Sequence, residues 1–198
     1  QEILQGLDPF NGGVGVAPKF PREALFLFLL DQAVRSGDEA ALSAVMQALD
    51  GMILGAFHDH VGGGFHRYTV DPGWNIPHFE KMLYTQALMG RLLLQAWQVT
   101  GEARYRNALE ATLDHVLADL RSPDGAFYSA LDADSIDDRG HRTEGAYYTW
   151  DPVAFDRLAA RHPMLGEMFD LAGLEELGGV GALYLPDQPE DRDLDQAM

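Results

Sequence analysis

Apolar residues at helical spacing occur in this chain as consecutive pairs of segments, and that pairing limits the available folds more than any other feature. Leu25, Phe26, Leu29, Leu30 and Ala33 predict a helix over 22–34, and Leu42, Val45, Met46, Leu49 and Ile53 predict a second to about residue 55. Met82, Leu83, Leu94 and Trp97 predict a third over 79–100, begun by Pro77. Tyr105, Leu109, Leu113, Val116, Leu117 and Leu120 form an apolar stripe on a fourth, 103–120. The first helix is apolar almost all round, which predicts an interior position. Terse turns, Ser36-Gly37 and Thr100-Gly101, close each pair. The other ends open into glycine-rich loops that lead into aromatic runs: GGVGVAPKF, GGGFHRY, GAFYSALDADS and GAYYTW, from Gly12, Gly62, Gly125 and Gly145. Short strands are expected within these loops at 127–130 and 147–150, and Asp151-Pro152 caps a further helix to about His162. A helix-pair repeat with one elaborate face predicts an all-α, α/α array whose long loops gather on one rim.

The net charge of −17 over 198 residues excludes a nucleic-acid backbone as partner, since that needs clustered Lys and Arg. With no cysteine, disulfides, thiolate nucleophiles and cysteine-based zinc sites are ruled out. No apolar run reaches the length of a membrane span, and no signal peptide is visible, so no membrane partner is expected and the expected location is cytoplasmic. The chain opens on Gln1, which marks it as processed or as a piece of something longer. The expected organisation is one domain over 1–185 and an acidic, disordered tail over 186–198.

Chemistry concentrates in 57–84, FHDHVGGGFHRYTVDPGWNIPHFEKMLY, which holds His58, His60, His66 and His78, four of seven histidines. A connection of about twenty residues between helices is far longer than the usual two to eight and reads as a working loop. His78 and Glu80 fall in the first turn of the expected third helix, where i, i+2 spacing turns them to different sides. Glu80 then sits at a helix N-terminus, which favours negative charge and suits a base or a ligand contact; its other reading is a pair with Arg67. Imidazole as a side-chain type suits proton transfer near neutrality, so His78 is the first candidate, with His66 assisting. Asp132 and Asp134 offer a second carboxylate cluster of the kind used in glycoside hydrolysis, or plain loop capping. Trp74, Tyr68 and Tyr128 suit stacking on a sugar ring. Arg67, His60 and Lys81 are candidate polar contacts to a ligand. The histidines lack H-E-x-x-H spacing, and neither a metal nor another cofactor is assigned.

GGVGVAPKFP, HDHVGGGFHRYTVDPGWNIPHFEKMLY and GAFYSALDADS…EGAYYTW resemble the motifs of the thioredoxin-domain-containing family typified by spermatogenesis-associated protein 20. The resemblance covers roughly 8–150, and the sequence departs from the family pattern at Thr85, where Asp usually follows MLY. It implies a six-hairpin glycosidase-like (α/α)6 toroid, distantly similar to sugar 2-epimerases, of which the helices here suffice for about half. It further implies a carbohydrate ligand and an epimerase, isomerase or hydrolase type of activity. The alternative is a non-catalytic binding or scaffold module serving a thioredoxin-like domain absent from this chain. Half a toroid leaves apolar helix faces bare, so a homodimer, or packing against further parts of a longer chain, is expected.

Overall fold

The computed structural model describes residues 5–186. Helix α1 spans Glu23–Ser36 and ends at Gly37, whose φ of 68° favours glycine. Helix α2, Glu39–Leu54, starts from Asp38, whose carboxylate accepts from the Ala41 amide at 3.1 Å. Helix α3, Leu83–Thr100, ends at Gly101 with φ 75°. Helix α4, Ala103–His115, runs on into a π-turn over Val116–Leu120. Helix α5, Pro152–Arg161, is capped by Asp151 and followed by the short α6, Pro163–Met168.

Two antiparallel helix pairs therefore stand side by side: α1 packs on α2, α3 on α4, and α1 on α3. Phe26, Val45, Leu49, Met52, Met89, Leu92, Leu93 and Tyr105 fill the space between them. The caps and the 3.6-residue period account for this half of the molecule, because turn residue and apolar stripe agree at each end. Among the described residues no helix is long and apolar enough to cross a membrane.

The loops at one end build short antiparallel pieces. Strand β1 (Tyr68–Thr69) pairs with β2 (Pro77–His78), and β3 (Lys81–Met82) pairs with β4 (Ala130–Leu131). Strand β5 (Asp134–Ile136) forms a hairpin with β6 (Arg142–Glu144). Strand β7 (Thr149–Trp150) joins a three-stranded sheet with β8 (Asp170–Ala172) and β9 (Gly181–Tyr184), in the order β7-β9-β8.

Four expectations change. The third helix starts at Leu83 and not at Phe79, because 77–82 is drawn out flat between two partners, β1 and β4. Helix α1 is not interior: Phe28 and Val34 are half exposed. The stripe on the fourth helix is only partly buried, with Leu113 and Leu117 at the surface. The loop strands fall at Ala130–Leu131 and Thr149–Trp150, shifted to where partners exist. The expected tail lies outside the described residues from 187 onward.

Candidate functional site

The segment 77–82 organises the loop end. Its side chains alternate between inside and outside: Pro77, Phe79 and Lys81 are buried, and His78 and Glu80 are only partly covered. That is the period of an extended chain, in which residues two apart share a face. His78 and Glu80 therefore stand together, with Nε2 of His78 3.4 Å from Oε2 of Glu80, where a helical turn would have separated them. Glu80 is not at a helix N-terminus. It accepts from the Arg67 guanidinium at 2.8 Å, and that bond, with a contribution from Tyr84, raises the Arg67 pKa.

A residue not singled out in the sequence completes the outer cluster. Glu144, at the end of β6, places Oε1 2.6 Å from His78 Nδ1. The imidazole is thus held between two carboxylates that are far apart in sequence. Tyr68 stacks on the His78 ring at 5.0 Å, and Phe20 stacks on Tyr68 at 4.7 Å. These rings border a shallow depression lined by Ala17, Pro18, Phe20, Arg67, Tyr68 and Val70. The APKF loop reaches it because Lys19 and Thr69 exchange backbone hydrogen bonds at 2.8 and 3.0 Å.

Asp132 and Asp134 are exposed; Asp134 opens β5 and is the cross-strand partner of Glu144, and Asp132 stands two residues before it. Both are engaged by Arg142. Tyr128 is half exposed on the loop before β4, and its ring joins none of the described aromatic contacts around His78.

Other candidates turn inward. His66 is 2% exposed and its Nδ1 lies 3.1 Å from the Phe79 carbonyl, across the chain from His78. It cannot assist His78 directly, because the intervening Phe79 backbone separates the two rings. Lys81 is buried on the face of the segment opposite His78, with its ammonium bonded to Asp59 at 2.6 Å and to the Gly63 carbonyl at 2.7 Å, and so does not serve the outer cluster. Trp74 is fully buried against Phe57, with its indole N–H donating to the Asn11 carbonyl at 3.0 Å; it is a core residue and not a stacking platform. His60 is partly covered and lines an inner cavity with His58 and His66. Among the described residues no group of three or more acidic or histidine side chains is arranged to hold a metal.

Much of the loop's polarity is spent on holding its own shape. Asp71 accepts from the amides of Gly73, Asn75 and Ile76, and Gln86 bonds both the amide and the carbonyl of Phe65. Gly63 and Gly64, at φ 73° and 76°, let the backbone lie directly on α4: an added Cβ would collide with the Ala111 carbonyl at the first and come within 2.6 Å of the His115 ring at the second. The triple glycine is a packing device and not a phosphate cradle.

No family model matches the chain. Human spermatogenesis-associated protein 20 is 40% identical over 194 residues, 91% of this chain and 25% of that protein. The chain is homologous to spermatogenesis-associated protein 20. The mouse protein of the same name is 36% identical over 200 residues, 94% of the chain. The chain spans about a quarter of the length of these spermatogenesis-associated relatives. Among solved structures, cellobiose 2-epimerase from Spirochaeta thermophila superposes with a TM-score of 0.58 at 24% identity, over 65% of this chain and 35% of that one. A sugar epimerase from a ruminal bacterium gives 0.58 at 15% identity over 65% and 36%. A family 76 glycoside hydrolase from Bacteroides thetaiotaomicron gives 0.50 at 20% identity over 64% and 26%. The architecture is that of α/α hairpins forming part of an (α/α)6 toroid with short strands in its loops.

Proposed function

We propose that the outer cluster is a carbohydrate site in which His78 transfers a proton. The observation that carries this reading is the His78 ring held between Glu80 and Glu144, with a guanidinium and two aromatic rings beside it. Carboxylates only accept, so Glu144 at 2.6 Å favours a proton on Nδ1; Glu80 also faces Nε2, but at 3.4 Å and with Arg67 on the same oxygen, so Nε2 is the nitrogen that exchanges its proton and serves as the base. In an epimerase-type step Nε2 removes the proton from the carbon next to an open-chain sugar carbonyl. The C–H electron pair moves to the carbonyl oxygen as an enolate whose charge Arg67 would favour; rotation about the neighbouring C–C bond turns the enolate's other face to the same imidazolium, and return of the Nε2 proton to that face gives the epimer. Tyr68 and Phe20 would offer their faces to the sugar's C–H groups. The sugar epimerases and the glycoside hydrolase that share the fold agree with this chemistry by analogy.

The test is a screen of free sugars for turnover and binding, with His78→Ala, Glu80→Ala and Glu144→Gln as variants. His78→Ala is expected to lower turnover by about 10²–10⁴-fold. Absence of any turned-over or bound sugar, or full activity in the variants, would overturn the reading.

A second reading is a non-catalytic binding or scaffold module that serves a thioredoxin-like domain. It is favoured by the mutual engagement of Arg67 with Glu80 and by the self-contained hydrogen bonding of 57–77. Sugar binding without turnover, unchanged in His78→Ala, would support it over the first.

A further inference from the structure

The inward face of the same segment borders a cavity of about 280 Å³, lined among others by His58, His60, His66, Phe79, Tyr148 and Trp150. His58 is 8% exposed, and neither of its ring nitrogens has a hydrogen-bond partner within the described residues. Buried polar groups are nearly always bonded, so a buried imidazole at a cavity wall points to something that occupies the cavity. His60 Nε2 lies 3.1 Å from the Gly55 carbonyl and His66 Nδ1 3.1 Å from the Phe79 carbonyl. A carbonyl can only accept, so those two nitrogens carry the protons, and the other nitrogen of each ring is an acceptor. Burial lowers the pKa of His60 to about 4 and of His66 to about 3, so both rings are neutral near pH 7.

The charge pattern narrows the occupant. The Asp59 carboxylate is taken up by Lys81 at 2.6 Å, and the Lys81 ammonium lies 5.0 Å from the Tyr148 ring centre. Asp59 is the one charged side chain in the described lining and Lys81 neutralises it, so neither a cation nor an anion meets an unpaired counter-charge there. A neutral ligand with several O–H donors fits both the imidazole acceptors and the aromatic walls. We infer that this inner cavity is a second binding site, for a small uncharged polyhydroxy compound such as a polyol or a free monosaccharide. It lies across the 77–82 backbone from the His78 cluster and does not depend on the chemistry proposed there.

The test follows the imidazole resonances of the 198-residue chain by NMR during titration with glycerol, a hexitol and neutral monosaccharides, with sodium phosphate and tetramethylammonium chloride as charged probes. One neutral polyhydroxy probe is expected to shift the His58 and His66 signals saturably, and the charged probes are expected not to. His58→Phe should weaken binding about tenfold, the loss of one to two neutral hydrogen bonds. If His58→Phe does not fold, Val61→Trp serves instead: Val61 lines the cavity and is 72% exposed, so the larger ring fills the mouth without entering the core. Binding that survives in the variant that folds, saturation by a charged probe, or no response to any neutral probe would overturn the inference. His78→Ala and Glu80→Ala should leave the titration unchanged, which separates failure here from failure of the outer site.

Discussion

Lys81 is among the most buried residues of the molecule, and its charge is met by an Asp59 side chain that is 10% exposed. Burial alone would raise the Asp59 carboxyl, but Lys81 and the Gly62 amide outweigh it and hold it well below the usual range. Burial also lowers the Lys81 ammonium. Removing one partner leaves the other buried and unpaired, so Lys81→Met is expected to destabilise by about 3–5 kcal/mol in urea unfolding. The double variant Lys81→Met with Asp59→Leu should recover part of that loss. The buried histidines set the acid limit. His66 titrates near 6.5 when unfolded and near 3 when folded, so below pH 6.5 the unfolded state binds the extra proton. Its contribution to stability is complete above pH 6.5 and is lost as pH falls toward 3, at a slope approaching about 1.4 kcal/mol per pH unit. Urea midpoints measured from pH 7 to 4 should fall accordingly, and a His66→Phe variant that folds should show a shallower decline. At this scale the sequence was legible where a residue type has one use. Glu80 does pair with Arg67, one of its expected readings, whereas His78 and Glu80 stand together although the sequence set them on different sides. Trp74 and Lys81 could not be told from ligand contacts, because their burial depends on Asn11 and Asp59, which only the fold brings near. Glu144 stood in the EGAYYTW motif, and its carboxylate beside a motif glycine was the available signal.

Among the elements, helices with a cap at one end and a glycine at the other were readable from sequence: Asp38, Gly37, Gly101 and Asp151 mark their true ends. The start of α3 was not, because HFEKM satisfies a helical period and an alternating one equally well. The choice is made by β1 and β4, whose hydrogen bonds hold the segment extended. GGGF was legible as a tight loop, but its purpose lies in α4. Gly63→Ala should therefore destabilise in two ways, through its positive φ and through collision with the Ala111 carbonyl. A loss of about 2 kcal/mol or more is expected, read as a lower thermal midpoint. Gly101→Ala, with the same backbone sign and open space around it, should cost only the conformational part of about 1 kcal/mol.

For the molecule as a whole, the helix pairs present apolar side chains that nothing in the described residues covers. Phe28, Val34, Leu113 and Leu117 are each about half exposed. Sedimentation should show concentration-dependent self-association, which Leu113→Lys with Leu117→Lys reduces. A monomer at all concentrations would contradict that expectation. An α/α array was legible because the pairing of helices, the turns between them and the rim loops agree at several levels at once, and the toroid came with the family resemblance of its loop motifs. The division of the loop end into two compartments was not, since it depends on the single extended crossing at 77–82. That crossing has a consequence for how the chain tolerates change in length. Deleting one residue between Thr69 and Pro77 would press the next segment to slip by one position, turning Phe79 and Lys81 toward water and His78 and Glu80 toward the core. Substitutions here act locally, whereas a single-residue deletion would exchange the contents of both compartments together.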